Sequence, residues 1–171
     1  ARSSSMRAMS TPPLPALPAP IDTQQVPFDR GLKPLIQLAA GDPKQSPLFV
    51  IHPAGGIAWG YRHLARVIAH PELLDDTRGA VSRSVWGLQS PALAPAAPLP
   101  ASIEALAQQY AQRVSELQPT GAVHLMGWSV GGILAQAMAV ALQQQGRTVG
   151  LVAMLGAYPA AVWRHEPQPR P

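Results

Sequence analysis

His124-Leu125-Met126-Gly127-Trp128-Ser129-Val130-Gly131-Gly132 is a short apolar run that passes through Gly-x-Ser-x-Gly into a long apolar segment. A strand, a serine with glycines two residues to either side, and a helix form the layout of a nucleophile elbow. The sharp turn pushes the hydroxyl out above the sheet, and the glycines leave room for crowded backbone. The plainer reading of Ser129 is an N-cap for the helix that begins at Val130. The strand before it and the helix after it favour the nucleophile.

Outward from this run the chain alternates. Val123 to Trp128 reads as a buried strand, and Val130 to Gln145 as a helix apolar nearly all round, hence buried. Val149 to Leu155 reads as another strand. Upstream, residues 102–117 form the clearest amphipathic helix. Ser102 is its N-cap, Glu104 lies in its first turn, and Ile103, Leu106, Ala107, Tyr110, Ala111, Val114 and Leu117 recur at helical spacing. Val85 to Gln89 and Pro47 to Ile51 are short apolar runs of the kind buried on both faces of a sheet. A helix is expected from Ile57 to about Ala69, with Trp59, Leu64, Val67 and Ile68 as its buried side. Lys33 to Leu38 is a plausible edge strand. Pro71 to Ser84 and Pro91 to Pro100 read as loops. Strands alternating with helices predict an α/β fold with a mostly parallel sheet covered on both faces.

Acyl transfer at a serine needs an oxyanion hole. The expected donors are the backbone N–H of Val130, directly after the serine, and one from the loop after an earlier strand. His52-Pro53-Ala54-Gly55-Gly56 follows such a strand, which makes the Ala54 N–H the candidate. The bland alternative is an ordinary glycine-rich turn.

Bulk properties narrow the class. The 171 residues suit one domain, preceded over residues 1–30 by a Pro- and Ser-rich linker with five prolines between Pro12 and Pro20. No apolar stretch is long enough to span a bilayer, so no membrane is expected as a partner. Thirteen basic and nine acidic residues give a net charge of +4, but the eleven arginines are scattered, so nucleic acid is not expected either. The absence of cysteine excludes disulfides and thiolate chemistry, and fits the cytoplasm as the expected location.

Taken in order, the blocks 47–56, Val85-Trp86-Gly87-Leu88-Gln89, Gly127-Trp128-Ser129-Val130-Gly131-Gly132 and Met154-Leu155-Gly156-Ala157-Tyr158-Pro159 resemble the thioesterase domains that end nonribosomal peptide synthetases. The resemblance covers about residues 33–165 and implies an α/β-hydrolase fold. It implies release of a peptidyl or acyl chain from the phosphopantetheine arm of an upstream carrier-protein domain, first to Ser129 and then to water or an internal nucleophile. No cofactor or metal of the domain's own is implied.

The chain also departs from that family. The acid of the triad is an Asp in a block resembling Leu-Asp-Ala-Tyr-Pro, and Gly156 stands at that position. The family's histidine lies beyond a helical lid and the last strands, and the chain stops at Pro171, near where the lid would begin. Residues 31–171 are therefore read as the N-terminal part of the domain, with lid and last strands missing. His165, His52, His124, His63, His70, Asp75 and Asp76 offer no convincing substitute dyad. Without a base Ser129 is a poor nucleophile, and the chain is expected to be feeble or inactive. The strand Val149 to Leu155 is expected to form an exposed apolar edge. A free-standing editing thioesterase or general esterase is a second enzymatic reading, opposed by the linker. The alternative from another class is a degenerate, non-catalytic module that docks a carrier protein or binds an acyl chain.

Overall fold

In the computed structural model, residues 31–74, 79–94, 98 and 100–158 are described. The linker 1–30, Asp75, Asp76 and His165 lie outside them. Among the described residues five strands form one sheet: β1 (Leu35–Ala39), β2 (Leu48–Ile51), β3 (Val85–Leu88), β4 (Val123–Trp128) and β5 (Val149–Leu155). Three helices connect them: α1 (Arg62–Ala69), α2 (Ile103–Leu117) and α3 (Val130–Gln144). The spatial order is β1-β3-β2-β4-β5. Only β1 is antiparallel, against β3, and every other pairing is parallel.

Alternation along the strands divides the core in two. Phe49 and Ile51 of β2 and Val123 and Leu125 of β4 join Tyr110 and Val114 of α2 and Leu134 and Met138 of α3. Leu48, Val50, Val85 and Met126 point the other way, onto Ala58, Tyr61 and Ala65. A period of two is what places successive side chains on opposite faces. Both faces are covered, so the central strands read as continuous apolar runs.

Three details differ from expectation. The segment before β3 opens with a 3₁₀ turn at Trp59–Tyr61, and α1 begins only at Arg62. Its buried side is Ala58, Tyr61, Ala65 and Ala69, while Trp59 and Leu64 are exposed and Val67 and Ile68 half-buried. The reason is close packing: a Cβ on Gly87 of β3 would lie 2.7 Å from Ala58 Cβ, so small side chains are needed there. Second, α3 is not buried all round, since Val140 is 49% exposed. Its helix covers β4 and β5 with one side and α2 with another, and leaves a third to solvent. Third, the segments after α1 and β3 contain 3₁₀ turns at Pro71–Leu73 and Pro91–Leu93. The helix starting after Ser102 is capped as expected, its hydroxyl accepting the Ala105 N–H at 3.1 Å.

Among the described residues β5 is an edge, and Leu151, Val152 and Leu155 on it are exposed. Among the same residues, no helix is long and apolar enough to cross a membrane.

Candidate active site

The turn from β4 to α3 holds Ser129 at φ 57°, ψ −128°, the one non-glycine residue with positive φ among those described. A side chain in that region costs about 1–3 kcal/mol and persists only where the surroundings enforce it. The enforcement is visible. Ser129 N–H donates to the Leu155 carbonyl at 2.9 Å, and Ser129 C=O accepts from Gly132 N–H at 2.9 Å. The Ser129 side chain makes no capping hydrogen bond to α3. An N-cap serine turns its oxygen onto the helix amides, so the plain capping role does not describe this residue.

Two glycines make the turn possible by close approach. A Cβ on Gly127 would sit 2.1 Å from Gly131 C and O, and one on Gly131 would sit 2.4 Å from Ile51 O and 2.7 Å from His52 O. The first turn of α3 therefore rests directly on the end of β2. This brings the elbow against the segment carrying the other candidate residue.

That segment is a tight turn: Gly56 N–H donates to Pro53 O at 2.9 Å, and Ser90 N–H donates to Gly56 O at 2.8 Å. Ala54 at its tip is exposed, and its N–H has no partner among the described residues. β2 and β4 are adjacent and parallel, so Ala54, three residues past β2, and Val130, two past β4, leave the same edge of the sheet. This is the edge where ligands of open parallel sheets bind.

His52 lies beneath this turn, 5% exposed. Its Nδ1 is 2.7 Å from Pro53 O, a pure acceptor, so Nδ1 carries a proton and donates. Nε2 is 2.8 Å from Tyr110 Oη, which also lies 3.0 Å from Gln89 O. His52 thus holds the turn's backbone and is not aimed at Ser129. His124 is half-buried in β4, near the opposite end of that strand from Ser129, while His63 and His70 are exposed on and beside α1.

Burial pushes the His52 pKa below 6.5, with the Pro53 bond opposing weakly. His124 is also lowered, by burial and then by the charge of Arg83. In the unfolded chain both rings take up protons near 6.5, before the folded chain does. Their contribution to stability is complete above that pH and is lost as pH falls from it toward the lower folded values. Urea unfolding across about pH 8 to 5 should show stability falling below about pH 6.5, with a shallower fall in His52→Asn. A flat profile contradicts this.

Gly156 follows the residue paired with Trp128, so it stands level with Ser129 at the end of the neighbouring strand. It is exposed, with φ 55°, and a Cβ there would lie 3.2 Å from Trp128 Nε1. A carboxylate at this position would lie beside the elbow; glycine supplies none. Trp128 and Leu155 beside it are 56% and 43% exposed, forming an apolar rim. A groove of about 810 Å³ between α2 and α3, lined by Gln108, Gln109, Gln112, Gln144 and Gln145, contains none of these residues.

The elbow and its neighbouring turn can be set beside known proteins. Residues 46–171 match the family model described as thioesterase domain. Relatives include a dimodular nonribosomal peptide synthase of Bacillus subtilis (strain 168), 39% identical over 113 residues, which are 66% of this chain and 4% of that protein. Another is the thioesterase pytI of Aspergillus terreus, 37% identical over 121 residues, 67% of this chain and 38% of that protein. Similar solved structures include a four-domain nonribosomal peptide synthetase bound to AMP and glycine, with TM-score 0.62 and 30% identity over 72% of this chain and 8% of that one. The NocB thioesterase domain from the nocardicin cluster gives TM-score 0.57 and 26% identity over 72% of this chain and 50% of that one. The chain thus spans less than half the length of these curated relatives. With a mostly parallel sheet flanked by helices and a serine elbow at its edge, the chain belongs to the thioesterase domain family, serine hydrolases of the α/β-hydrolase fold.

Proposed function

We propose that this chain is part of a thioesterase domain that takes a peptidyl or acyl chain from the phosphopantetheine arm of a carrier protein in nonribosomal peptide biosynthesis. The observation that carries the reading is the turn at Ser129: positive φ, a side chain that does not cap α3, and an exposed Ala54 turn at the same sheet edge. Ser129 Oγ attacks the thioester carbonyl carbon. The C–S bond breaks, and the pantetheine thiol leaves with the proton given up by the serine hydroxyl. Ala54 N–H and Val130 N–H receive the charge that develops on the carbonyl oxygen, at the positive end of α3. Water, or a nucleophile within the acyl chain, then takes the acyl group and returns the proton to Ser129. The exposed Trp128 and Leu155 suit an apolar acyl portion. Residues 1–30 act as the linker from the carrier-protein domain, and the setting is the cytoplasm.

The same reading holds that this chain is impaired. Gly156 leaves no carboxylate beside the elbow to orient and stabilise an imidazolium. That observation also favours the second reading, a non-catalytic module that docks a carrier protein or holds an acyl chain.

Intact mass after incubation with a small acyl thioester of pantetheine separates these. The expected result is an acyl adduct that forms slowly, at no more than about 10³–10⁴ times the uncatalysed rate, and is absent from Ser129→Ala. An adduct formed as readily on Ser129→Ala overturns the nucleophile. Completion within seconds overturns the impairment. Binding of an acyl-loaded carrier protein with no adduct at any time supports the non-catalytic module.

A further inference from the structure

We propose that Tyr61 is a positioning residue for acyl transfer, its hydroxyl inserted between the ends of β2 and β4 so that it spaces the Ala54 turn from Ser129. The proposal rests on the roles given above to those two residues. The β2–β4 register ends with Ile51 opposite Gly127. His52 N–H turns to Leu88 O on β3 at 3.1 Å, so by alternation the Ile51 backbone groups face β4. One rung further, a regular parallel ladder would pair the Trp128 N–H with the Ile51 carbonyl. Here both groups bond the same hydroxyl. Trp128 N–H donates to Tyr61 Oη at 2.8 Å, and Tyr61 O–H donates to Ile51 O at 2.9 Å.

Two elements meet at this point from opposite faces of the sheet. Gly131 brings the backbone of α3 onto the Ile51 and His52 carbonyl oxygens from one face of the sheet. Tyr61 enters from the other face, 8% exposed and packed in the cluster with Val50, Ala58 and Met126. The strand ends are thus met from α3 by bare backbone and from the α1 side by a hydroxyl. Burial keeps the phenol a donor by pushing its pKa up, against the weaker opposing pull of the Trp128 N–H. Ile51 is three residues before Ala54, and Trp128 is the residue before Ser129. Among the described residues no other side-chain hydrogen bond joins these two segments.

Tyr110 supplies a matched control. It is also buried and its hydroxyl also bonds the β2 end, through His52 Nε2, but makes no hydrogen bond to β4. Deleting its hydroxyl uncouples His52 from Gln89, at the ends of β2 and β3, whereas deleting that of Tyr61 uncouples the end of β2 from Trp128 of β4.

The test uses Tyr61→Phe and Tyr110→Phe in the whole chain, with two readouts. One is hydrogen exchange of the Trp128 amide by NMR, and the other is the rate of Ser129 adduct formation with the acyl pantetheine thioester. In Tyr61→Phe, Trp128 exchange should rise at least ten-fold relative to the other β4 amides. The adduct rate should fall about ten-fold at saturating thioester, with the half-saturating concentration little changed. In Tyr110→Phe, Trp128 exchange should be unchanged. Unchanged Trp128 exchange in Tyr61→Phe overturns the insertion. Altered exchange with an unaltered adduct rate overturns the positioning role. If the unaltered chain takes no adduct, the Ser129 reading fails and the positioning role with it, while exchange still decides the insertion. Should Tyr61→Phe not fold, the unaltered chain decides: the Tyr61 hydroxyl proton should be slow to exchange and show a cross-peak to the Trp128 amide proton. Absence of that proton overturns the insertion.

Discussion

Gly127→Ala is expected to destabilise the fold severely. The added Cβ would stand 2.1 Å from the carbonyl carbon and oxygen of Gly131 and 2.5 Å from Gly132 N. These are backbone atoms of a helix that is itself wedged against the carbonyls of β2, so no rotamer change can relieve the overlap. Forcing extra volume into packed interiors typically costs about 1–3 kcal/mol even where side chains can shift. With backbone on both sides the cost should exceed about 4 kcal/mol, a large share of the roughly 5–15 kcal/mol by which domains are stable. Circular dichroism and urea unfolding of the purified variant measure it. A midpoint within about 0.3 M of the unaltered chain, near 0.5 kcal/mol at usual slopes, would show that the elbow has more room than described.

Phe49→Ala should destabilise the fold by about 3–5 kcal/mol. Phe49 is fully buried at the centre of β2, the middle strand of five, and belongs to the larger core with Tyr110, Leu125 and Met138. Truncation removes the ring from a site with neighbouring strands on either side and helices above, where little can collapse into the space. Val140→Ala on α3 is the contrast. That valine is 49% exposed, and its replacement should change stability by less than about 0.5 kcal/mol, because alanine's better helix propensity offsets the little burial lost. Paired urea melts decide the matter. Equal effects of the two substitutions would mean that α3 is buried all round after all.

Most of the fold was legible in the chain because its signals are local. Three buried strands, β2, β3 and β4, are short apolar runs bounded by turn residues, and α2 carries both its helical period and the Ser102 cap within sixteen residues. The elbow was legible for the same reason: strand, Gly-x-Ser-x-Gly and helix are contiguous. α1 is the exception: its largest apolar residues, Trp59 and Leu64, point to a buried side that the structure leaves exposed. The closeness of β3 to Ala58 admits only small groups, and that closeness comes from another element. The role of Tyr61 carried no motif at all. Tyr61 lies ten residues from Ile51 and sixty-seven from Trp128 in the chain, and a hydroxyl inserted in a ladder leaves no trace in spacing.

The sequence by itself determined the order of strands and helices, the serine at the strand-to-helix turn, and the absence of a carboxylate at Gly156, since each is a property of residue type and local order. The tertiary structure alone decided which face of each helix is buried, that Ser129 withholds its side chain from the helix it precedes, and that two tyrosines from opposite faces hold the end of β2. Those depend on contacts between segments remote in the chain, and the close approach of backbones that sets them is a property of the packed sheet.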